Sequence, residues 1–116
     1  RGIKQYKARQ YAQAANTLEK SLAINPNSKS GLLTYTKTLL EMERMRDALV
    51  AAEKIARIDP GNPEAHLLLG NARQELKNDK AAIEAYKKYL ELDPNGPYSN
   101  DVKQVVKGIE AESGLR

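Results

Sequence analysis

PEAHLLLGNARQELKNDKAAIEAYKKYLELDPNG, residues 63–96, holds two apolar stripes at helical spacing, a polar break at Lys77-Asn78, and a stop at Asp93-Pro94-Asn95. Moved back by its own 34 residues, the stretch meets its own outline twice. Pro94, Pro60 and Pro26 stand at equal intervals, following Leu92-Asp93, Ile58-Asp59 and Ile24-Asn25. A fixed period of this length marks stacked helix-turn-helix units, none of which can bury its apolar face alone.

Working outward from that stretch, the pattern predicts about seven helices and no strand. Gly2 to Ala8 reads as the tail of one helix and Tyr11 to Ile24 as the next, with Tyr11, Ala14, Ala15, Leu18 and Leu22 on one stripe. Asn25-Pro26-Asn27-Ser28 stops it, and Asn27 or Ser28 can cap the next helix. Lys29 to about Met42 and Met45 to Ile58 form the next pair, then Pro63 to Leu76 and Asp79 to Leu92, with Asn78 as N-cap. Ser99 to about Glu112 makes a final helix, its apolar stripe Val102, Val105, Val106 and Ile109. Ser99, Asn100 and Asp101 supply capping oxygens and negative charge at its start. A lone helix with one polar face after the last repeat is what a capping helix needs to be.

The 116 residues suit one domain, 1–116. With Phe and Trp absent, Tyr, Leu, Ile and Ala must fill the core. No apolar run approaches the roughly 20 residues that span a bilayer, so membrane insertion is not expected. No signal peptide is visible, and the chain opens within a repeat, as a fragment of a longer protein does. Zero cysteines exclude disulfides and thiolate metal sites. The net charge of +4 is concentrated at one end. Residues 1–30 carry six basic groups (Arg1, Lys4, Lys7, Arg9, Lys20, Lys29) against Glu19 alone, while the remaining segments are close to neutral. Such an end can steer an acidic partner, although a solvated face of two helices is the favoured explanation, because a modest charge excess fixes no partner.

These residues resemble a tetratricopeptide repeat. That family's unit places small or aromatic residues at positions 4, 7, 8, 11, 20, 24, 27 and 32, which fall here on His66, Leu69, Gly70, Arg73, Ala82, Tyr86, Tyr89 and Pro94. In the unit from Lys29 they fall on Leu32, Tyr35, Thr36, Leu39, Ala48, Ala52, Ile55 and Pro60, with Thr36 replacing the usual Gly and Ala52 the usual aromatic. The first unit is partial: Gly2, Tyr6, Tyr11, Ala14, Leu18, Leu22 and Pro26 fit. The resemblance implies an all-α, right-handed α-solenoid of antiparallel helix pairs. It divides the chain into partial repeat 1–28, repeats 29–62 and 63–96, and a capping helix in 97–116. His66, where the family usually has tryptophan, reads as a packing residue.

Nothing in the sequence assembles a catalytic site. One His and no Cys remove most nucleophile–base and metal sets, and the carboxylate pairs lie among Lys and Arg on polar helix faces. The chain reads as no enzyme, with no cofactor and no metal. Function then rests on the groove that the resemblance implies, lined by the first helix of each pair. The candidate partner-binding residues are Tyr6 and Lys7 from the first unit; Leu33, Thr34, Lys37, Leu40 and Glu41 from the second; and Leu67, Leu68, Asn71 and Gln74 from the third. Leu33, Leu40, Leu67 and Leu68 lie outside the packing set and suggest an apolar strip for a peptide or amphipathic helix, unless the last helix covers Leu67 and Leu68. The chaperone-tail clamp of one subclass is not supported, because its basic and amide positions are missing or hold Ile3, Thr34, Glu64 and Leu68.

The resulting expectation is a protein–protein interaction scaffold from a larger bacterial protein, cytoplasmic, whose partner is another protein. Two alternatives stand beside it. One is an anionic or nucleic-acid partner at the basic end (Lys4, Lys7, Arg9, Lys20, Lys29), with nucleic acid the less expected. The other is a homodimer through the open solenoid end.

Overall fold

The computed structural model describes the backbone of residues 2–114 and the side chains of residues 7–112. Six helices follow one another: α1 Gly2–Ile24, α2 Lys29–Glu41, α3 Met45–Ile58, α4 Pro63–Glu75, α5 Asp79–Leu92 and α6 Ser99–Ser113. Each packs on its neighbour in the chain, and α2 also touches α4, so the helices stack as an all-α solenoid of successive helix pairs. No strand occurs among the described residues.

Six helices stand where about seven were predicted, because α1 runs unbroken through Ala8-Arg9-Gln10. The 34-residue period aligns Arg9 with Glu43 and Lys77, the two residues that turn the chain between α2 and α3 and between α4 and α5. Both adopt left-handed backbone, φ 60° and 66°. They close matching turns, in which Arg44 N donates to Leu39 O and Asn78 N to Arg73 O, each at 2.9 Å. A left-handed non-glycine residue costs about 1–2 kcal/mol, which packing of the two helices against each other offsets. α1 packs on α2 through Ala15 and Leu22, but among the described residues its Ala14, Leu18 and Ser21 face is not sealed by another helix. Ala14 and Leu18 are half-buried and Ser21 exposed, whereas the equivalent Ala48, Ala52 and Ile55, and Ala82, Tyr86 and Tyr89, are sealed. Without that packing, Arg9 stays helical.

The other boundaries follow from local chemistry. Ser28 accepts a hydrogen bond from Gly31 N at 3.1 Å and so caps α2. Asn62 does the same for Glu64 N at 3.0 Å, with Pro63 in the first turn, where its missing N–H costs nothing. Asn78 stands at the start of α5, but its side chain makes no capping bond. Nor do Ser99, Asn100 and Asp101 cap α6 with their side chains. Ser99 donates to Gly96 O at 2.8 Å and ties the preceding turn instead.

The core is a chain of small clusters between successive helices. Leu39, Ala48, Ala51 and Ala72 join α2, α3 and α4, and Ala52, Leu68, Leu69 and Ala85 join α3, α4 and α5. Ala82, Ile83, Tyr86 and Tyr89 meet Val102, Val106 and Ile109 of α6. Fully buried Leu39 and Ile55 anchor the middle, and truncating either to Ala is expected to cost about 2–5 kcal/mol.

Candidate functional site

Two adjacent hollows open between α4 and α6. The larger, about 300 Å³, is bounded by Leu67, Leu68, Tyr86, Val102 and Val105, with Lys37, Glu64, Asn71, Tyr98 and Asp101 around them. The second, about 200 Å³, shares Glu64, Leu67 and Tyr98 with it and continues toward Tyr89, Asp93 and Pro97. Tyr98, 52% exposed, stands where the two meet.

The local positioning is specific. Tyr86 is buried against Gly70, where a Cβ would run into its ring, so the aromatic side chain can cross to α4 only because that position is glycine. Its hydroxyl donates toward Asn71 Oδ1 at 2.9 Å and Gln74 Oε1 at 2.7 Å. One proton serves two acceptors, which holds both amides along α4. Burial pushes the Tyr86 phenol up to about 12, with Glu75 adding to the shift. Lys37 on α2 forms an ion pair with Glu64 on α4. Asp101 and Asp93 have no ion pair among the described residues.

The sequence-predicted groove residues divide into groups. Lys37, Leu67, Leu68 and Asn71 come together at the larger hollow. Leu68 is otherwise core, packed with Ala52, Leu69 and Ala85. Leu67 packs against the cluster that includes α6 and still faces both hollows, so α6 covers it without closing the site. Gln74 serves Tyr86. Leu33 and Leu40 are half-buried between helices, and Thr34, exposed, donates to Ser30 O. Lys7 and Glu41 lie apart, beside another hollow with Tyr11 and Glu43. The Tyr6 side chain lies outside the described residues. His66 is half-buried and shares a 2.9 Å hydrogen bond with Pro60 O, tethering the turn before α4.

Sequence reasoning missed Tyr98, Asp101, Val102 and Val105 as lining residues. The signal was present: 34 residues beyond Glu64, Leu67, Leu68 and Asn71 stand these four. Continued past Pro97, the repeat count makes α6 the first helix of a further unit. Its opposite positions, Asn100, Lys103, Gln104 and Lys107, are polar and exposed, as a capping face requires.

A tetratricopeptide repeat family model matches residues 39–104, more than half of the chain. The chain belongs to the tetratricopeptide repeat family. Among solved structures it is similar to MamA (residues 41 to the end) from Desulfovibrio magneticus RS-1, at 24% identity over 98% of this chain and 63% of that one, TM-score 0.83. It is similar to the Sgt2 TPR domain from Aspergillus fumigatus, at 25% identity over 91% and 70%, TM-score 0.80. A third is the first TPR of Spaghetti (RPAP3) bound to the HSP90 peptide SRMEEVD, at 18% identity over 97% and 87%, TM-score 0.83. The chain spans 57% to 65% of the MamA chains that it matches. No match is found among curated proteins. The tetratricopeptide repeat domain is in general a protein-interaction module, and its structural relatives here include a peptide-bound one. No described helix is long and apolar enough to cross a membrane.

Proposed function

We propose that this domain is a cytoplasmic, non-enzymatic scaffold module that holds a segment of a partner protein between α2, α4 and α6. The repeats 29–62 and 63–96 form the body of the module and 97–116 its cap. The observation that carries the reading is the pair of adjacent hollows, lined by Leu67, Tyr86, Val102 and Val105 and edged by charges. An apolar recess with a few oriented polar groups is the usual form of a recognition site. A volume of about 300 Å³ is at the small end for a whole small-molecule ligand and suits one or two anchoring side chains. Selection of binding peptides from a displayed library, followed by calorimetry against the wild type and Leu67→Glu, tests this. Binding is expected to fall by at least roughly tenfold in the variant, as for an interface anchor. Unchanged binding, with circular dichroism showing the variant folded, would remove the groove from the account.

The basic end is a weaker contender. Lys29 pairs with Asp59 at 3.7 Å, and Lys7 lines its hollow together with Glu41 and Glu43. Self-association is favoured by a separate observation: the Ala14, Leu18 and Ser21 face of α1 lacks the packing that its equivalents have. A second copy can cover that face. Sedimentation equilibrium showing only monomer across the accessible concentrations would exclude it.

A further inference from the structure

We propose that the segment received at the α4–α6 site is a cationic one: an apolar side chain flanked by Lys or Arg. This rests on the groove reading and adds the chemistry of the occupant. Four charged groups bound the two hollows, and three of them are carboxylates: Glu64, Asp93 and Asp101. The one cation, Lys37, is already paired with Glu64. Asp93 and Asp101 have no cation opposite them among the described residues. Asp101 is exposed, on the same helix as the apolar Val102 and Val105.

The site therefore offers an apolar recess with uncompensated negative charge at its edge. An incoming carboxylate would meet repulsion at Asp101 and compete with Glu64 for Lys37. An incoming ammonium or guanidinium beside an apolar anchor would meet Asp101 and Asp93, and could stack on the half-exposed Tyr98 ring. This preference is opposite to what binding an acidic peptide such as SRMEEVD would require. Like-charge juxtaposition of this kind discriminates among partners more than it adds affinity.

The test uses the whole chain and three fluorescein-labelled peptides of equal length. One has a central Leu flanked by Lys, one a central Leu flanked by Glu, and one a central Ser flanked by Lys. Anisotropy titrations are expected to show the Lys-flanked Leu peptide bound most tightly, and the Ser and Glu-flanked peptides weaker by roughly tenfold or more. Affinity should fall as salt is raised, since the carboxylates lie at a solvent-facing edge. Asp101→Arg should reverse the order of the two Leu peptides, and Asp101→Asn should narrow the gap between them. Equal, salt-insensitive binding of both Leu peptides would overturn the charge preference and leave the groove in place. Binding of neither Leu peptide would overturn both readings. Concentration-dependent self-association that Asp101→Arg abolishes would show the basic α1 of a second copy to be the occupant, and would overturn a foreign cationic partner.

Discussion

At the scale of residues, the exchange between two equivalent sites shows what this fold tolerates. Gly70 admits the Tyr86 ring in one helix pair. At the equivalent positions of the preceding pair stand Thr36 and Ala52, both fully buried. The larger side chain has moved from the second helix to the first, and Thr36 satisfies its hydroxyl on Leu32 O at 2.7 Å. Gly70→Ala should destabilise the domain by about 1–3 kcal/mol through overpacking. In a Tyr86→Ala background, itself destabilised by loss of a core ring, Gly70→Ala should cost less, so a double-mutant cycle by urea denaturation should give clear coupling. Additive losses would contradict the packing account. Tyr86 and Tyr35 make a second prediction. Burial raises both phenols to about 12, helped for Tyr35 by its 2.7 Å hydrogen bond to Glu19. These folded values exceed the ordinary value near 10. Their contribution to stability is therefore complete below pH 10 and lost as pH rises through 12. Denaturation midpoints should fall across that window, and the fall should shrink in Tyr35→Phe/Tyr86→Phe. At this scale the sequence was legible for packing positions and less so for groove positions. Asn71 and Gln74 sit where groove residues belong, yet they accept from Tyr86, a partner that lies on another helix and that periodicity does not reveal.

Among the elements, the ends of helices separate what a residue type suggests from what its geometry does. Ser28→Ala should cost about 1 kcal/mol, because Ser28 caps α2. Asn78→Ala should cost clearly less, because Asn78 makes no capping bond with its side chain. Lys77→Gly should be neutral or stabilising by up to about 1 kcal/mol, since it relieves a left-handed residue while adding some unfolded-state entropy. Thermal denaturation of the three variants checks these values. The helices between Lys29 and Leu92 were legible almost to the residue because Asn-Pro and Asp-Pro stops recur at a fixed interval. α1 was not. The sequence around Arg9 matches the later turn positions in the count, but a turn there depends on a helix packing back, which is a tertiary effect that local pattern does not contain.

For the whole molecule, the family and the solenoid were legible because a single periodic signal runs through most of the chain. The site was only half legible. Lys37, Leu67, Leu68 and Asn71 were read from the repeat positions. Tyr98, Asp101, Val102 and Val105 belong in sequence only to a cap, because the Asp93-Pro94-Asn95-Gly96-Pro97 breaker closes the last full repeat and a single helix follows it. Their placement gives α6 two roles: it closes the core over Tyr86 and Tyr89, and it supplies one wall of the hollow. A basic first helix at one end and an acid-edged recess at the other give the molecule a polarity along its stack.

The most direct measurement is a methyl NMR titration of the leucine- and valine-labelled domain with the Lys-flanked Leu peptide. Saturable shifts centred on Leu67, Val102 and Val105 are expected, with Leu18 and Leu22 on α1 unmoved. Shifts confined to α1, or none at the α4–α6 methyls at saturation, would contradict the groove as the working surface.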